Sequence, residues 1–488
     1  MAAPAYDIVI RNALVATSTA CFEGDVGVSG ERIAAIGHGL AQGAREIDAT
    51  GKVLTPGGID AHAHIAQLSG GGLLNADTWE SATVSAACGG TTSVVAFAAQ
   101  HQGMDLAQVV ADYSALAAEG SVIDYAFHLI VADPTEKTLK EHLPALIDAG
   151  HASIKAFMTY DKVRLRDEQL LDLMAVAREK GAMVCVHAEN HGMIAWMAKR
   201  LVERGYVDPK YHSIAHPRVS ETEAFERIVR MSALLDQPVT IFHVSTKEGA
   251  AIIRRARGEG LKIFAETCPQ YLFFTKEILD RPGIEGAKWM FSPPAREPKD
   301  QEALWRALEL GDFQTVSSDH APYAFDETGK LMAGPNPDFR QIANGVPGLQ
   351  FRMPLLFDAM VSKGRFGLSK FVAVTASGPA RLYNLPNKGD IAPGLDADLV
   401  LWDPKRQVTL EDALVRDKTR YTPYAGMTVT GWPETVIRRG DVIVEGEALR
   451  AAPGSGRFMR RKAGSCAEPT GRLEAELDPA RNFGATLL

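Results

Sequence analysis

The chain has 488 residues, 46% hydrophobic and 23% charged, with a net charge of −8 and a pI of about 5.9. That suits a globular protein with a large core plus an accessory layer, and it gives no electrostatic basis for binding nucleic acid or an anionic membrane. No apolar run is long enough to span a bilayer, the first residues lack the basic and apolar regions of a signal peptide, and the five scattered cysteines (21, 88, 185, 268, 466) read as reduced thiols of a cytoplasmic protein.

Residues 6–55 read as short strands, at 6–10, 12–15, 25–28 and 32–36, the last two separated by the turn signal Ser29-Gly30-Glu31. Such a layer cannot bury both faces alone. From residue 56 the texture changes. Asp77 is placed to cap a helix through Ala87, Gly89-Gly90 stops it, and 91–97 is β-rich. The alternation recurs. Asp167 precedes a helical pattern that ends at Gly181, and strand 183–187 follows; helix 221–235 leads to strand 239–243, and helix 247–257 to strand 262–266. Repeated helix-then-apolar-strand units predict a parallel sheet, and the span 56–375 fits a (β/α)₈ TIM-like barrel with insertions.

After residue 375 the β texture returns, with a strand before Asp403 and a hairpin around Arg439-Gly440. Residues 1–55 and 376–450 are expected to form one small, discontinuous β-sandwich domain beside the barrel. Residues 451–488, rich in Gly, Ala, Arg and Pro, are expected to be an irregular tail at a subunit interface, with the basic run from Arg457 to Lys462 in solvent.

Chemistry concentrates at strand ends. Pro56-Gly57-Gly58-Ile59-Asp60-Ala61-His62-Ala63-His64 closes the first apolar run of the barrel span. On extended backbone, residues i and i+2 face the same way, so His62 and His64 aim two imidazoles at one point, as a metal ion requires; a surface pair in a loop is the alternative. Active-site residues of such barrels gather where strands end. Lys155 lies in an apolar strand-like stretch, His187 and His243 end theirs, and Asp319 follows 313–318. Any one histidine alone suits a core or loop role, but the coincidence of strand ends favours a metal site. The other nine histidines read as structural or surface.

Together with Ser153-Ile-Lys155-Ala-Phe-Met-Thr-Tyr160, Val186-His187-Ala-Glu-Asn190, His243-Val-Ser-Thr246, Glu266-Thr-Cys-Pro269, Ser292-Pro-Pro294, Ser318-Asp319-His-Ala-Pro322 and Asn344-Gly345, the motif resembles the dihydropyrimidinase/D-hydantoinase family of cyclic amidohydrolases, in order over about residues 6–460. The resemblance implies hydrolysis of a cyclic amide C–N bond in a dihydropyrimidine, a 5-substituted hydantoin or a related ureide or imide, giving an N-carbamoyl amino acid type product. It implies two divalent metal ions, usually Zn²⁺. His62, His64 and Asp319 would hold one, His187 and His243 the other, and Lys155, carboxylated by CO₂ to N6-carboxylysine, would bridge both. Charge supports this: an ammonium is a poor neighbour for two dications, whereas a carbamate offers each an oxygen. A water between two dications loses its proton near neutral pH and becomes the nucleophile. Asp319 would then serve as general base and acid, Tyr160 would stabilise the oxyanion, and Ser292 and Asn344 would hold the substrate's amide edge, largely through backbone groups. A homotetramer, or at least a homodimer, is implied, with a small cyclic amide as the binding partner.

Two departures bear on substrate. Where the family runs from the HxH through an acidic residue and a proline–aromatic pair, this chain has Ile65-Ala66-Gln67-Leu68-Ser69 and then Gly70-Gly71-Gly72-Leu73-Leu74. Beyond Tyr160 the family's aromatic is replaced by Arg164, which either meets a polar or anionic substituent, or narrows the pocket, or turns to solvent. Dihydroorotases carry an arginine at the position of Ala66, and Tyr160 separates the chain from allantoinases; the glycine-rich loop leaves an imidase open. Collapsin response mediator proteins share this fold but have lost metal ligands, and all six coordinating positions are retained here.

Overall fold

Two sets of strands divide the chain in the computed structural model, which describes residues 4–488. The first five, β1 (Tyr6–Ala16), β2 (Cys21–Ser29), β3 (Arg32–Gly37), β4 (Gly43–Asp48) and β5 (Val53–Pro56), precede every helix. β1 is a single strand through residues expected as two. Asn12 adopts left-handed backbone (φ 58°) and the register with β2 shifts between Ile10 and Ala13, as at a β-bulge.

The next eight are β6 (Gly58–Ala63), β7 (Thr91–Ala99), β8 (Asp124–Ile130), β9 (Ser153–Phe157), β10 (Met183–His187), β11 (Val239–Ile241), β12 (Ile263–Thr267) and β13 (Thr315–Val316), paired in chain order and in parallel. Nearly every residue on them is buried, which explains their almost unbroken apolar runs. Helices such as Trp79–Cys88, Asp167–Lys180, Arg218–Leu235 and Lys247–Gly258 lie between them. Thr78, rather than Asp77, caps the first of these; Asp77 is buried one residue too early and accepts from Ser81 (2.6 Å) instead.

β6 and β13 are the free edges of this sheet, and the barrel closes across them. Ala63 bridges His320, and the His64 N–H donates to the His320 carbonyl at 2.7 Å. The Asp60 carboxylate accepts from the amides of His62 (3.1 Å) and Ser318 (3.1 Å) and pairs with the fully buried Arg352 at 3.1 Å. At the other end of the motif, Gly57 donates to the Asp398 carbonyl at 2.8 Å, and a Cβ there would fall 2.1 Å from the Thr92 hydroxyl, so the close approach requires glycine.

The last strands are β14 (Leu399–Thr409), β15 (Thr428–Arg438), β16 (Asp441–Glu445) and β17 (Ala448–Leu449). β14 pairs antiparallel with β5, so both chain ends build one nine-stranded sheet in the order β17-β16-β15-β14-β5-β1-β2-β3, with β4 on β1. Ile8, Val26, Leu54, Leu399 and Ile437 share its apolar cluster, apart from the barrel's own. Barrel packing continues past residue 375, since Ala380, Leu382 and Tyr383 cluster with Phe97 and Phe242. No helix among the described residues is long and apolar enough to cross a membrane.

The tail beyond residue 450 lies across the end of the barrel where strands begin. Tyr125 N–H donates to the Arg457 carbonyl (2.9 Å), Met459 N–H to the Tyr125 carbonyl (2.7 Å), Lys262 to the Ser465 carbonyl (2.8 Å), and Thr470 N–H to Asp236 (2.9 Å). The basic run is therefore not wholly solvated. Arg461 is 1% exposed and donates to the Ser153 hydroxyl (2.9 Å) and the Phe127 carbonyl, because a guanidinium caps the groups that β8 and β9 leave at this end. Arg461→Ala strips a donor from buried acceptors, a loss of about 1–3 kcal/mol. It is expected to lower the denaturation midpoint and to speed proteolysis within the tail, with Lys462→Ala as the neutral control; equal behaviour of the two variants refutes this account of the tail.

Candidate active site

The loops that leave the carboxyl ends of β6, β9, β10, β11 and β13 surround a cavity of about 820 Å³. Of the residues singled out in the sequence, His62, His64, Lys155, Tyr160, His187, His243, Ser292, Asp319 and Asn344 line it. His62 and His64 project from the end of β6 toward Asp319, with Nε2 atoms 3.0 and 3.5 Å from the same carboxylate oxygen. Their donor atoms and that of Asp319 lie within 4.8 Å of one another, a spacing that fits one ion. The His187 and His243 rings stand 4.4 Å apart, and His243 is 5.5 Å from His62.

Lys155 lies on β9 within this group. Its Nζ is buried, has no hydrogen-bond partner, and sits 4.2 Å from the Phe242 ring and 4.7 Å from Phe157. Burial pushes the amine down to about 8. An unsatisfied buried polar group is costly unless something occupies the space beside it. Asn344 Oδ1, at the far wall, is likewise buried and unpartnered.

The imidazoles are backed from behind. His62 Nδ1 pairs with Glu266, His64 Nδ1 with Gln67 (2.7 Å), and His187 Nε2 with Glu189 (2.8 Å), whose second oxygen meets His216 at 2.8 Å. A carboxylate on the second nitrogen fixes tautomer and ring orientation, as metal-ligating histidines require. Sequence reasoning missed Glu266, Glu189, Gln67 and Asp60 as functional residues. Glu266, Glu189 and Asp60 stand inside the quoted motifs, where an acid in an apolar strand end was the available signal; Gln67 had none. His216 and His320, read as structural or surface, also serve the site: His320 pairs with Asp77 at 2.9 Å directly behind Asp319.

Electrostatics follow from this packing. Burial opposes the charged form of His62, but Glu266 and Asp319 outweigh it and push the imidazole up to about 9. Burial also opposes ionisation of Asp319, yet His62, His64 and His243 hold it well below the usual carboxylate range. His64, His187 and His243 are depressed chiefly by burial. His64, His187 and His243, uncharged beside the ionised Asp319, are donors for a divalent cation, and an ion bound at His62 would displace the proton that Glu266 and Asp319 hold there, so the residues present fit one. The Tyr160 phenol is kept protonated by burial and by the charge of Glu189, with Ser292 beside it. Backbone strain gathers here too. Tyr160 (φ 72°), His243 (φ 40°) and Asp319 (φ 49°) all adopt left-handed backbone, at about 1–3 kcal/mol each.

The loop after His64 folds back on itself, with Ser69 N–H on the Leu73 carbonyl (2.8 Å) and Gly72 at φ 86°. Asn75 anchors it, donating to the His64 carbonyl (2.6 Å) and accepting from the Gln67 amide (2.8 Å). Gln67, Ser69, Gly70, Gly71 and Leu73 thereby line the cavity. Arg164 does not. Its neighbours Val163 and Leu165 turn inward, its own side chain is exposed, and its amide bonds the Tyr160 carbonyl at 2.9 Å. Alternation along this segment sends the Arg164 side chain to solvent, the third of the placements open to it in the sequence.

Glu266→Gln removes the charge behind His62 and keeps the shape. It is expected to weaken metal retention by about 10–100-fold, read as metal content after dialysis against a competing chelator; unchanged retention removes the supporting role of Glu266.

Comparison with known proteins agrees with this geometry. Residues 53–443 match the amidohydrolase family. A D-hydantoinase from Ralstonia pickettii is 40% identical over 458 residues, which cover 93% of this chain and 99% of that protein. A solved D-hydantoinase structure superposes with a TM-score of 0.91 at 40% identity, covering 94% of this chain and 100% of the other. The dihydropyrimidinase from Brevibacillus agri gives 0.90 at 39% identity, covering 94% and 99%. The chain therefore belongs to the amidohydrolase family, in its D-hydantoinase/dihydropyrimidinase branch, and is a hydrolase of cyclic amides.

Proposed function

We propose that the protein opens a dihydropyrimidine, a 5-substituted hydantoin or a related cyclic ureide at one amide C–N bond, leaving an N-carbamoyl amino acid type product. The observation that carries this reading is the convergence of His62, His64 and Asp319 beside the unpartnered Lys155, in a cavity that also holds Tyr160 and Asn344. In this reading two divalent ions, zinc by the preference of imidazole and carboxylate donors, are held by His62, His64 and Asp319 and by His187 and His243, with Lys155 carboxylated on Nζ between them. When bound, such ions acidify water and polarise an amide carbonyl.

The chain's own residues do the rest. Ser292 and Asn344 hold the amide edge of the ring, and the free Asn344 Oδ1 is available to a ring N–H. The Tyr160 hydroxyl donates to the carbonyl oxygen as it gains charge. Asp319 takes a proton from the attacking water and returns it to the ring nitrogen as the C–N bond breaks. Glu266 and Glu189 hold the histidines in orientation throughout. Exposed Trp196, Ile214 and Val219, on the neighbouring helices His191–Glu203, Tyr211–Ala215 and Arg218–Leu235, support a homotetramer or homodimer that covers them. The five free cysteines support a cytoplasmic setting.

On metal-loaded, bicarbonate-supplied enzyme, a panel of dihydrouracil, 5-substituted hydantoins, allantoin, dihydroorotate and cyclic imides is expected to show the first two classes turning over fastest. A preference for the cyclic imides over every ureide of the panel overturns the substrate assignment. Chelation is expected to abolish turnover and added zinc to restore it. Asp319→Asn is expected to lower kcat by about 10²–10⁴-fold and Tyr160→Phe by about 10²–10³-fold; a variant that keeps wild-type kcat loses its assigned role.

A further inference from the structure

Residues 321–346 leave the barrel just after Asp319 and return beside their own start, where Ala321 N–H donates to the Val346 carbonyl at 3.0 Å. Within this excursion a turn closes through Gly329 N–H to the Asp326 carbonyl (3.1 Å) and Lys330 N–H to the Ala324 carbonyl (2.8 Å). A Cβ on Gly329 would lie 2.2 Å from the Ala324 oxygen, so the turn tolerates no larger residue and its direction is fixed. That direction sends the Lys330 side chain inward, to 0% exposure.

A lysine so buried ordinarily has an acidic partner. Lys330 has none among the described residues, and burial alone pushes its amine down to about 7. What it has is two backbone carbonyls, Met290 at 3.2 Å and Ala343 at 2.8 Å. These belong to two separate segments that are otherwise joined by Gly345 N–H on the same Met290 carbonyl at 2.9 Å. Two residues beyond Met290 is Ser292, and between Ala343 and Gly345 is Asn344. The intervening Phe291 carbonyl is held independently by His212 Nε2 at 2.9 Å. Gly345 itself sits at φ 149°, and a Cβ there would fall 2.5 Å from the Ala321 methyl and carbonyl oxygen, so the 343–345 segment packs closely on Ala321 where only glycine fits. An amine with N–H groups to spare, placed between two carbonyls, satisfies both at once and needs no counter-ion if it sheds its proton. A methylene chain ending in a methyl would satisfy neither.

We propose that Lys330 is a positioning residue: by tying the Met290 and Ala343 carbonyls together it sets the separation of Ser292 and Asn344, and thereby the fit of the ring's amide edge. The proposal rests on the functional reading above, in which that edge is held by those two residues. Lys330 lines no part of the cavity and touches none of the candidate metal ligands, so its contribution is to binding geometry and not to bond breaking. The grip acts on the ring before and during the reaction alike, and interactions of that kind are lost in KM rather than in kcat.

The test is steady-state kinetics of metal-loaded Lys330→Met and Lys330→Gln on the best cyclic amide of the wild type, with bound metal measured, and with hydrogen exchange followed at residues 343–346 without substrate. Lys330→Met is expected to raise KM by about 5–30-fold, the worth of one or two such bonds, to leave kcat and metal content as they were, and to speed exchange at Gly345. Lys330→Gln, which keeps an NH₂ donor on a shorter arm, is expected to fall between the two. A fall in kcat at constant KM, or kinetics unchanged in both variants, overturns the proposal. Where Lys330→Met does not fold, Lys330→Gln is read by the same split. If the wild type opens no cyclic amide, the functional reading fails by itself; unchanged exchange at Gly345 in both variants then overturns the tie between the segments separately.

Discussion

Asp60 holds the barrel shut. An eight-stranded parallel sheet has two edges until something joins them, and here one edge, β13, is only two residues long. Backbone pairing alone offers the seam little. A buried carboxylate that bonds amides from both edges and is neutralised by Arg352 supplies what the short strand cannot. A buried pair of this kind is costly to break, because either partner alone is an uncompensated charge. The seam is also where chemistry sits. His62 and His64 come from one edge and Asp319 from the other, so the geometry of the candidate metal cluster is the geometry of the closure. The left-handed backbone of Asp319 is tolerated for the same reason: Ser318 and His320, on either side, are both bonded to β6 or its end.

Much of this fold was legible in the sequence because its strands are buried on both faces. Such strands read as apolar runs, and β10 coincides with its run, Met183 to His187, end to end. Other runs overshoot. β11 stops at Ile241, and β13 at Val316, because the last residues of each run peel out of the ladder to aim His243 and Asp319 inward. Strand-end histidines could be listed from the chain, and their convergence inferred. Their supports could not, since Glu266 lies 204 residues from His62 and nothing in the linear order states which strands are neighbours. Arg461 was misread for a different reason. Charge suggests solvent, but carbonyls at the start of parallel strands need donors, and a guanidinium supplies several at once.

Two parts of the molecule thus answer different questions. Strand ends carry the groups that act on an amide bond, fixed by the barrel and by the carboxylates behind them. Loops 65–75 and 321–346 shape the space around the rest of the substrate, and they are fixed by other means: Asn75 on one, Lys330 and Gly345 on the other. Neither loop shares a hydrogen bond with the Glu266 or Glu189 carboxylates among the described residues. Substrate range is therefore free to drift by substitution in these loops, except at Gln67 and Asn75, which hold His64, while the bond-breaking groups stay in place.

The nine-stranded sheet sets a timetable for synthesis. Thr55 pairs with Val400, so β5 leaves the ribosome long before the strand that completes it. In the interval β1 to β5 form an unfinished sheet with an open edge, the type of surface that recruits stray strands from other chains. The barrel's helix–strand units are local and are expected to collapse first, while the long-range pairing of β5 with β14 pays the larger closure entropy and comes late. Nascent chains halted anywhere before residue 399 thus present a hazard that the finished protein does not, and protection by a chaperone matters most over that stretch of translation.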